Sequence, residues 1–180
     1  MIYKIEYLSV LERDGEAIDD YISNGMQPHV KQRMRHVLLD WMSQVSSELR
    51  VTKETHHYAV YIVDRYLSVA LLLRVQDLQL LGLVALLMAC KIEEVRPPSL
   101  EVMLSFCLNI YSSHDYKLFE LQVAKALHWR LRSATLYNWI GMLTCVWDEL
   151  LPSLALLNPL LTDGLSKCMF RSPDAACFKL

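Results

Sequence analysis

The stretch Leu78–Glu94, LQLLGLVALLMACKIEE, constrains the fold of this chain more than any other part of the sequence. Its first 13 residues, Leu78 to Cys90, are apolar on every side apart from Gln79 and Gly82. A helix without a polar face either lies in a protein core or spans a membrane. Because a span needs about 20 apolar residues, this length predicts a buried core helix that the rest of the chain must surround.

Composition and charge favour a well-packed helical protein and exclude several functions. Apolar residues make up 53% of the 180 residues, with only 5 glycines and 6 prolines, which argues against disorder. A net charge of −2 gives no electrostatic basis for a nucleic-acid partner. The N-terminal segment MIYKIEYLSV carries Lys4 and Glu6 and is not a secretory signal. We therefore expect a protein of the nucleus or cytoplasm, without a membrane or nucleic-acid partner.

The sequence contains no recognisable catalytic or metal-binding arrangement. His114 and His128 lack a suitably placed carboxylate or cysteine, and no Gly-rich phosphate loop occurs. The cysteines are widely spaced, mostly inside apolar runs, and form no CxxC or Cys/His cluster, so buried reduced thiols are predicted. They are Cys90, Cys107, Cys145, Cys168 and Cys177. We predict a non-enzymatic protein with no metal and no cofactor.

Hydrophobic periodicity predicts helices along the whole chain and no strands. An amphipathic helix over 2–14 is followed by a linker over 16–29. The apolar helix is then the third of five, and the predicted five cover 30–49, about 53–68, 76–94, about 98–108 and about 113–127. Candidate N-caps are Thr52 or Thr55 for the second helix and Ser112 or Ser113 for the fifth, and Pro98 or Ser99 is predicted to start the fourth. Connections of a few residues predict a single α-helical bundle.

The helical pattern starts again after Trp129. Thr135 is predicted to open a sixth helix, and Ser172-Pro173-Asp174 has the composition of a further helix start. The sequence ends six residues after Asp174. About 45 residues are too few for a core of their own, so we expect an incomplete second helical fold.

Two residues raise questions that periodicity alone does not answer. Asp64 lies near a helix C-terminus, where the macrodipole disfavours an anion, so a cationic partner is expected. Arg35, beside the apolar stripe of helix 30–49, is a candidate for that partner. Trp41, on the same helix, is interpreted from its spacing alone as a core residue.

Four segments resemble the cyclin box in order and in spacing. They are MRHVLLDW (34–41), ETHHYAVYIVDRYLS (54–68), LQLLGLVALLMACKIEEVRPP (78–98) and FELQVAKALHWRL (119–131). ALHWRL followed by SATLYNWI is most similar to cyclin E, with cyclins D and A next, which favours a G1/S-type cyclin. The resemblance implies an all-α fold with three parts: an N-terminal helix and linker (1–29), a five-helix cyclin-box bundle (30–131) and a partial second cyclin-like fold (132–180).

The resemblance also implies the roles of particular residues. Positions typical of the family are filled here by Arg35, Asp64, Leu80, Lys91 and Glu120. The first two would form a structural ion pair, and Lys91 and Glu120 would bind backbone groups of a cyclin-dependent kinase beside its mobile helix. The apolar pocket and rim receiving that helix would be Met88, Ile92, Ala124, Trp129 and Leu131, with Glu94 as a further kinase contact. The alternative for Lys91 and Glu120 is a solvated pair worth less than about 1 kcal/mol.

A second surface implied by the resemblance is a docking groove for Arg-x-Leu motifs of substrates or inhibitors. Its apolar floor would consist of Met34, Val37, Leu38, Trp41, Leu78 and Gln79, which replaces the core interpretation of Trp41. This sequence departs from the family pattern at the charged rim. Gln44 occupies the position of the glutamate that receives the basic residue of the motif, and Leu108 that of a nearby acid. The charge-assisted contact, the stronger kind of hydrogen bond, is therefore missing.

The function predicted on this basis is that of a regulatory subunit. The chain would bind a cyclin-dependent Ser/Thr kinase, hold its mobile helix in the active orientation, and so activate it in cell-cycle control. Two alternatives remain open at the level of sequence. One is a cyclin-fold adaptor in transcription, and the other is a truncated cyclin that binds a kinase without activating it.

Overall fold

A computed structural model of the chain describes residues 2–14, 18, 20–70 and 72–157, with side chains described for 3–13, 18, 20–70 and 72–150. All regular structure in these residues is helical, which confirms the predicted all-α class. The helices are α1 (Ile2–Asp14), α2 (Gln32–Leu49), α3 (Lys53–Val69), α4 (Leu78–Glu93), α5 (Leu100–Ser105), α6 (Ser113–Ala126) and α7 (Leu136–Leu157). A single 3-10 turn, Val75–Asp77, precedes α4.

The chain divides into two compact units. The first covers Ile2–Trp139, and the second begins at Ile140, within α7. The predicted helix start at Ser172-Pro173-Asp174 lies outside the described residues, as do Cys168 and Cys177.

Helix α4 is the centre of the first unit, as its sequence predicts. Every residue from Leu80 to Cys90 is buried, and α4 contacts α2, α3, α5 and α6. Among the described residues, Val75–Glu93 is the one stretch long and apolar enough to cross a membrane, and 67% of its apolar window is buried inside the protein. Gly82 allows α2 to approach: a Cβ atom there would lie 2.7 Å from Leu38 Cδ1.

Polar side chains define where the surrounding helices begin. Thr52 caps α3 by accepting a hydrogen bond from the backbone N–H of Thr55, and Ser99 caps α5 in the same way. At α6, Ser112 and Asp115 form a reciprocal capping box. Each cap satisfies an N–H group that has no partner within its own helix. The structure thus selects one residue from each pair that the sequence left open.

Helix α5 is shorter than predicted, with 6 residues instead of about ten. The chain turns at Leu108 and Asn109, which have φ angles of 52° and 54°. The N–H of Asn109 donates to the carbonyl of Leu104, 3.1 Å away, which closes the helix end. Leucine is uncommon in this left-handed conformation, so Leu108 gave no signal for the early end.

Arg35, Asp64 and Tyr21 form a hydrogen-bonded cluster between α2, α3 and the segment before α2. Arg35 Nε donates to Asp64 Oδ1 at 2.7 Å, and Arg35 Nη2 donates to Asp64 Oδ2 at 2.6 Å. The hydroxyl of Tyr21 donates to Asp64 Oδ1 at 2.8 Å. Burial, followed by the charge of Asp64, raises the pKa of Tyr21, so the phenol stays a donor. The cationic partner expected for Asp64 is thus Arg35, in bidentate geometry.

The predicted linker over 16–29 contains a buried residue that holds the end of α3. Gln27 is 2% exposed, and its side-chain amide donates to the carbonyls of Leu67 and Ala70 at 3.0 and 2.6 Å. Its Oε1 accepts from the backbone N–H of Leu73 at 3.0 Å. Gln27 therefore satisfies carbonyls at the C-terminus of α3 that the helix itself leaves open.

Candidate protein-binding site

An apolar pocket of about 320 Å³ lies at the C-terminal end of α4. Helices α4 and α6 supply two of its walls, and the segment following α6 supplies the rim. Its lining consists of Met88, Lys91, Ile92, Lys117, Glu120, Leu121, Ala124, Trp129 and Leu131. We call this the α4–α6 pocket. The helix that forms the core thus ends at a surface where its last turn becomes accessible.

Lys91 and Glu120 form an ion pair at the edge of the α4–α6 pocket. Lys91 Nζ lies 2.5 Å from Glu120 Oε1, with the two side chains 46% and 25% exposed. Glu120 Oε1 also accepts from the hydroxyl of Tyr116 at 2.9 Å, and Lys91 Nζ lies 5.7 Å from the centre of that ring. Exposed pairs contribute about 0–1 kcal/mol, so exchanging this pair for contacts with a partner requires little free energy.

Trp129 stands at the rim because α6 ends in an irregular turn. His128 and Trp129 have φ angles of 50° and 59°. The N–H of Trp129 donates to the carbonyl of Ala124 at 2.9 Å, a bond typical of a helix C-terminus that ends in this conformation. The indole is 66% exposed. A large exposed aromatic beside an apolar pocket is typical of a protein-binding surface.

Glu94, predicted as a further kinase contact, does not line the α4–α6 pocket. Its Oε1 accepts from Thr52 N, Thr52 Oγ1 and Thr55 Oγ1 at 2.8, 3.1 and 2.7 Å. Burial disfavours the charged carboxylate, but hydrogen bonds from Thr55 and Thr52 outweigh it and keep the pKa of Glu94 below its usual value. Glu94 therefore connects the end of α4 to the positive N-terminus of α3. A role in binding a kinase stays a prediction.

A second apolar surface, which we call the α2–α4 groove, has a volume of about 490 Å³. Its lining residues are Lys31, Arg33, Met34, Val37, Leu38, Trp41, Val75, Leu78 and Gln79. Trp41 is partly exposed and Val37 is 62% exposed, which differs from the core position that spacing alone gave Trp41. Gln79 and Met88 are 9 residues apart on α4, so the groove and the α4–α6 pocket lie about 13 Å apart along the helix.

The structure brings most of the predicted site residues together. Seven of the eight predicted kinase-binding residues line the α4–α6 pocket, with Glu94 outside it. Six of the seven predicted groove residues line the α2–α4 groove; Gln44 is exposed, outside the lining. Sequence reasoning missed Lys117, Leu121, Lys31, Arg33 and Val75. Lys117 and Leu121 could have been found by helical spacing from Glu120 and Ala124.

Two of the cysteines, Cys90 and Cys107, are buried. Burial raises the pKa of Cys90 to about 12 and that of Cys107 to about 11, and neither thiol is in a disulfide. Within the described residues, no group of three or more His, Cys, Asp or Glu side chains could hold a metal ion. Tyr58 donates its hydroxyl to the carbonyl of Leu131 and so holds the segment after α6 against α3.

Comparison with known proteins identifies the family. Residues 4–132 match the family described as "Cyclin, N-terminal domain". The chain belongs to the cyclin family. The match begins before the predicted box at residue 30 and includes nearly all of α1.

Several plant cyclins are similar to this chain. It is 36% identical over 146 residues to the G2/mitotic-specific cyclin C13-1 of Daucus carota, covering 80% of this chain and 42% of that protein. It is 33% identical to the putative cyclin-A3-1 of Arabidopsis thaliana, covering 80% of this chain and 40% of that protein. Cyclin-B1-4 of the same plant is 34% identical, with coverages of 75% and 34%. The chain thus spans less than half the length of these relatives.

A solved structure is similar in fold. The X-ray structure of a viral cyclin from herpesvirus saimiri matches with a TM-score of 0.58 and 21% sequence identity. The alignment covers 73% of this chain and 52% of that one. At this identity the match concerns the arrangement of helices.

Proposed function

We propose that this chain is a non-catalytic regulatory subunit that binds and activates a cyclin-dependent Ser/Thr protein kinase in the cell cycle. The observation that carries the proposal is the α4–α6 pocket, where the Lys91–Glu120 pair borders an apolar depression with Trp129 at its rim. Membership of the cyclin family supports the same proposal. Its expected location is the nucleus or cytoplasm, which imaging of a tagged chain tests.

The pocket suits the apolar face of a partner helix. Met88, Ala124 and the other apolar lining residues would receive it, while Lys91 and Glu120 would exchange their mutual contact for hydrogen bonds to its backbone. A kinase whose mobile helix exchanges between two orientations would be shifted toward the one that fits the pocket. The shift can be no larger than the difference in affinity for the two orientations. In the partner kinase, that orientation would bring the glutamate of the mobile helix to the kinase's own catalytic lysine and complete their ion pair.

The cell-cycle phase is the finer part of this proposal. The similarity of ALHWRL and SATLYNWI to cyclin E favours the G1/S transition, whereas the relatives named above carry G2/mitotic, A-type and B-type names. These names give the mitotic assignment the greater weight. The test measures the affinity of the chain for a panel of cell-cycle kinases. The kinase that binds most tightly decides between the G1/S and the mitotic assignment.

The division of the chain at residues 29/30 and 131/132 also belongs to the proposal. It places the kinase-binding residues in one segment, the five-helix box, with α1 before it and α7 after it. Limited proteolysis tests this division: cleavage should concentrate near these boundaries and leave a resistant fragment that contains α2 to α6.

The experiment uses the full chain and purified cell-cycle kinases, with binding and kinase activity measured together. Lys91→Ala/Glu120→Ala should weaken binding by about tenfold or more and reduce activation in parallel, as expected when groups in a desolvated contact are removed. Lys125→Ala, on an exposed position of α6 outside the pocket, is the control and should bind as the wild type does.

A charge exchange separates binding from folding. Lys91→Glu/Glu120→Lys can keep the internal ion pair, so the melting temperature should change little while kinase binding is lost. Unchanged binding in both double variants would refute the interface. If the wild-type chain binds no kinase, the result favours a cyclin-fold adaptor in transcription. If it binds a kinase without activating it, the result favours a truncated cyclin.

A further inference from the structure

The α2–α4 groove has a charge distribution that does not suit a basic docking motif. Its lining includes two cations, Lys31 and Arg33, and no carboxylate. Both cations lie near the start of α2, where unpaired backbone N–H groups add partial positive charge. Lys31 is the N-cap residue and makes no side-chain capping bond. One end of the groove is therefore positive, while its floor is apolar.

The positive region continues beyond the groove. An open depression of about 700 Å³ shares Lys31 and Val75 with the groove and is lined by Pro28, His29, Lys31, Arg74, Val75 and Gln76. No carboxylate belongs to this lining either. Asp77, which follows Gln76 in the sequence, has its Oδ2 2.7 Å from Arg74 Nε and is neutralised by it. Lys31 and Arg33 remain the two exposed cations with no ion-pair partner among the described residues of this region.

The acids of α2 lie elsewhere along the helix. Asp40 and Glu48 are exposed and belong to neither lining, and the position one turn after Trp41 is the neutral Gln44. A basic side chain entering beside Trp41 would therefore meet no lining carboxylate, whereas an acidic segment reaching Lys31 and Arg33 would meet two free cations.

We infer that the α2–α4 groove binds protein segments in which an apolar residue is adjacent to several Asp or Glu residues. The apolar side chain occupies the floor over Trp41 and Leu78, and the carboxylates lie against Lys31 and Arg33. The volume of about 490 Å³ is within the range of sites that hold small ligands, roughly 300–1,000 Å³. Because the groove and the α4–α6 pocket share no lining residue, this inference stands independently of kinase binding.

The test measures fluorescence anisotropy of labelled peptides on the full chain. Three peptides of equal length share one leucine anchor, and its flanking residues are glutamates, glutamines or lysines. The glutamate peptide should bind about tenfold more tightly than the lysine peptide, since two exposed charge pairs amount to roughly 2- to 30-fold in affinity. The preference should shrink as salt is raised. A fourth peptide carries a phosphoserine next to the anchor in place of the glutamates.

Variants assign the preference to named residues. Lys31→Glu/Arg33→Glu should reverse the order of the glutamate and lysine peptides, while Arg96→Glu/Lys125→Glu, with the same charge change outside both linings, should preserve it. Trp41→Ala should weaken every peptide. Circular dichroism checks that each variant is folded. The inference is overturned if the lysine peptide binds as well as the glutamate peptide, if only the phosphorylated peptide binds, or if no peptide binds the folded wild type.

Discussion

Replacing Gly82 by alanine tests how closely α4 and α2 are packed. The added Cβ would lie 2.7 Å from Leu38 Cδ1 and 3.3 Å from Met42 Sδ. Carbon atoms pack best about 3.5–4.0 Å apart, so the Leu38 side chain would have to retreat by roughly 1 Å. Leu38 also lines the α2–α4 groove, which offers space for this movement.

The expected magnitude combines two opposing terms. Overpacking a filled core costs about 1–3 kcal/mol, and alanine is favoured over glycine in a helix by about 1 kcal/mol. Gly82→Ala should therefore destabilise the protein by roughly 0–2 kcal/mol. In a Leu38→Ala background the obstructing atom is absent. There the remaining close contact is Met42 Sδ at 3.3 Å, on a flexible side chain, so the same substitution should stabilise the protein by up to about 1 kcal/mol through the helical preference.

The assay is urea denaturation of the wild type, both single variants and the double variant, followed by far-UV circular dichroism. Leu38→Val also lacks the Cδ1 atom and removes less volume, so it gives the same comparison if Leu38→Ala is too unstable. The changes in unfolding free energy caused by substitutions at independent sites add to within about 0.5 kcal/mol. If Gly82→Ala changes the free energy of unfolding equally in both backgrounds within that margin, the close packing deduced from the structure is wrong.

Three further predictions concern buried or partly buried polar groups. Arg35→Met and Asp64→Asn should each lower the free energy of unfolding by about 3 kcal/mol in urea titrations. This is the lower end of the range for breaking a buried pair, because the two side chains are still 22% and 14% exposed. A loss below about 0.5 kcal/mol in both variants would contradict a structural role. Because folding lowers the pKa of Glu94, its carboxylate stabilises the protein above the unfolded pKa of about 4.3, and this stabilisation is lost as the pH falls through the lower folded pKa. The difference in unfolding free energy between wild type and Glu94→Gln should therefore be largest near neutrality and vanish in acid. A difference that does not change with pH would refute this prediction. Cys90 and Cys107, with pKa values of about 12 and 11, should resist alkylation in the native protein at neutral pH and react only in denaturant, as mass spectrometry of labelled peptides would measure.

The sequence determined the class of fold and the place of its central helix. A 13-residue stretch that is apolar apart from Gln79 and Gly82 must be covered by the rest of the protein, and hydrophobic periodicity identified the surrounding helices and most of their ends. Resemblance to the cyclin box predicted seven of the nine residues that line the α4–α6 pocket. Lys117 and Leu121 were missed although they lie one turn before Glu120 and Ala124, since no chemical feature separates them from ordinary surface residues.

Apart from the Arg35–Asp64 pair, which the sequence predicted, only the tertiary structure decided which polar groups meet. Asp64 and Arg65 are neighbours in sequence, yet Asp64 binds Arg35 while Arg65 is 1% exposed and donates to the carbonyl of Arg130. Gln27 lies in a predicted linker but holds the end of α3. These partners are distant along the chain, and a helical pattern specifies only neighbours three or four residues away.

Glu94 and the central helix illustrate the same division. The sequence placed a charged end on an apolar helix, and it could not say whether that end faces a partner or the protein itself. The structure directs Lys91 to the α4–α6 pocket and Glu94 to the start of α3. Hydrophobic burial is non-directional and can be predicted from pattern, whereas a hydrogen bond needs a particular donor within about 3 Å. That placement exists only after the helices have packed.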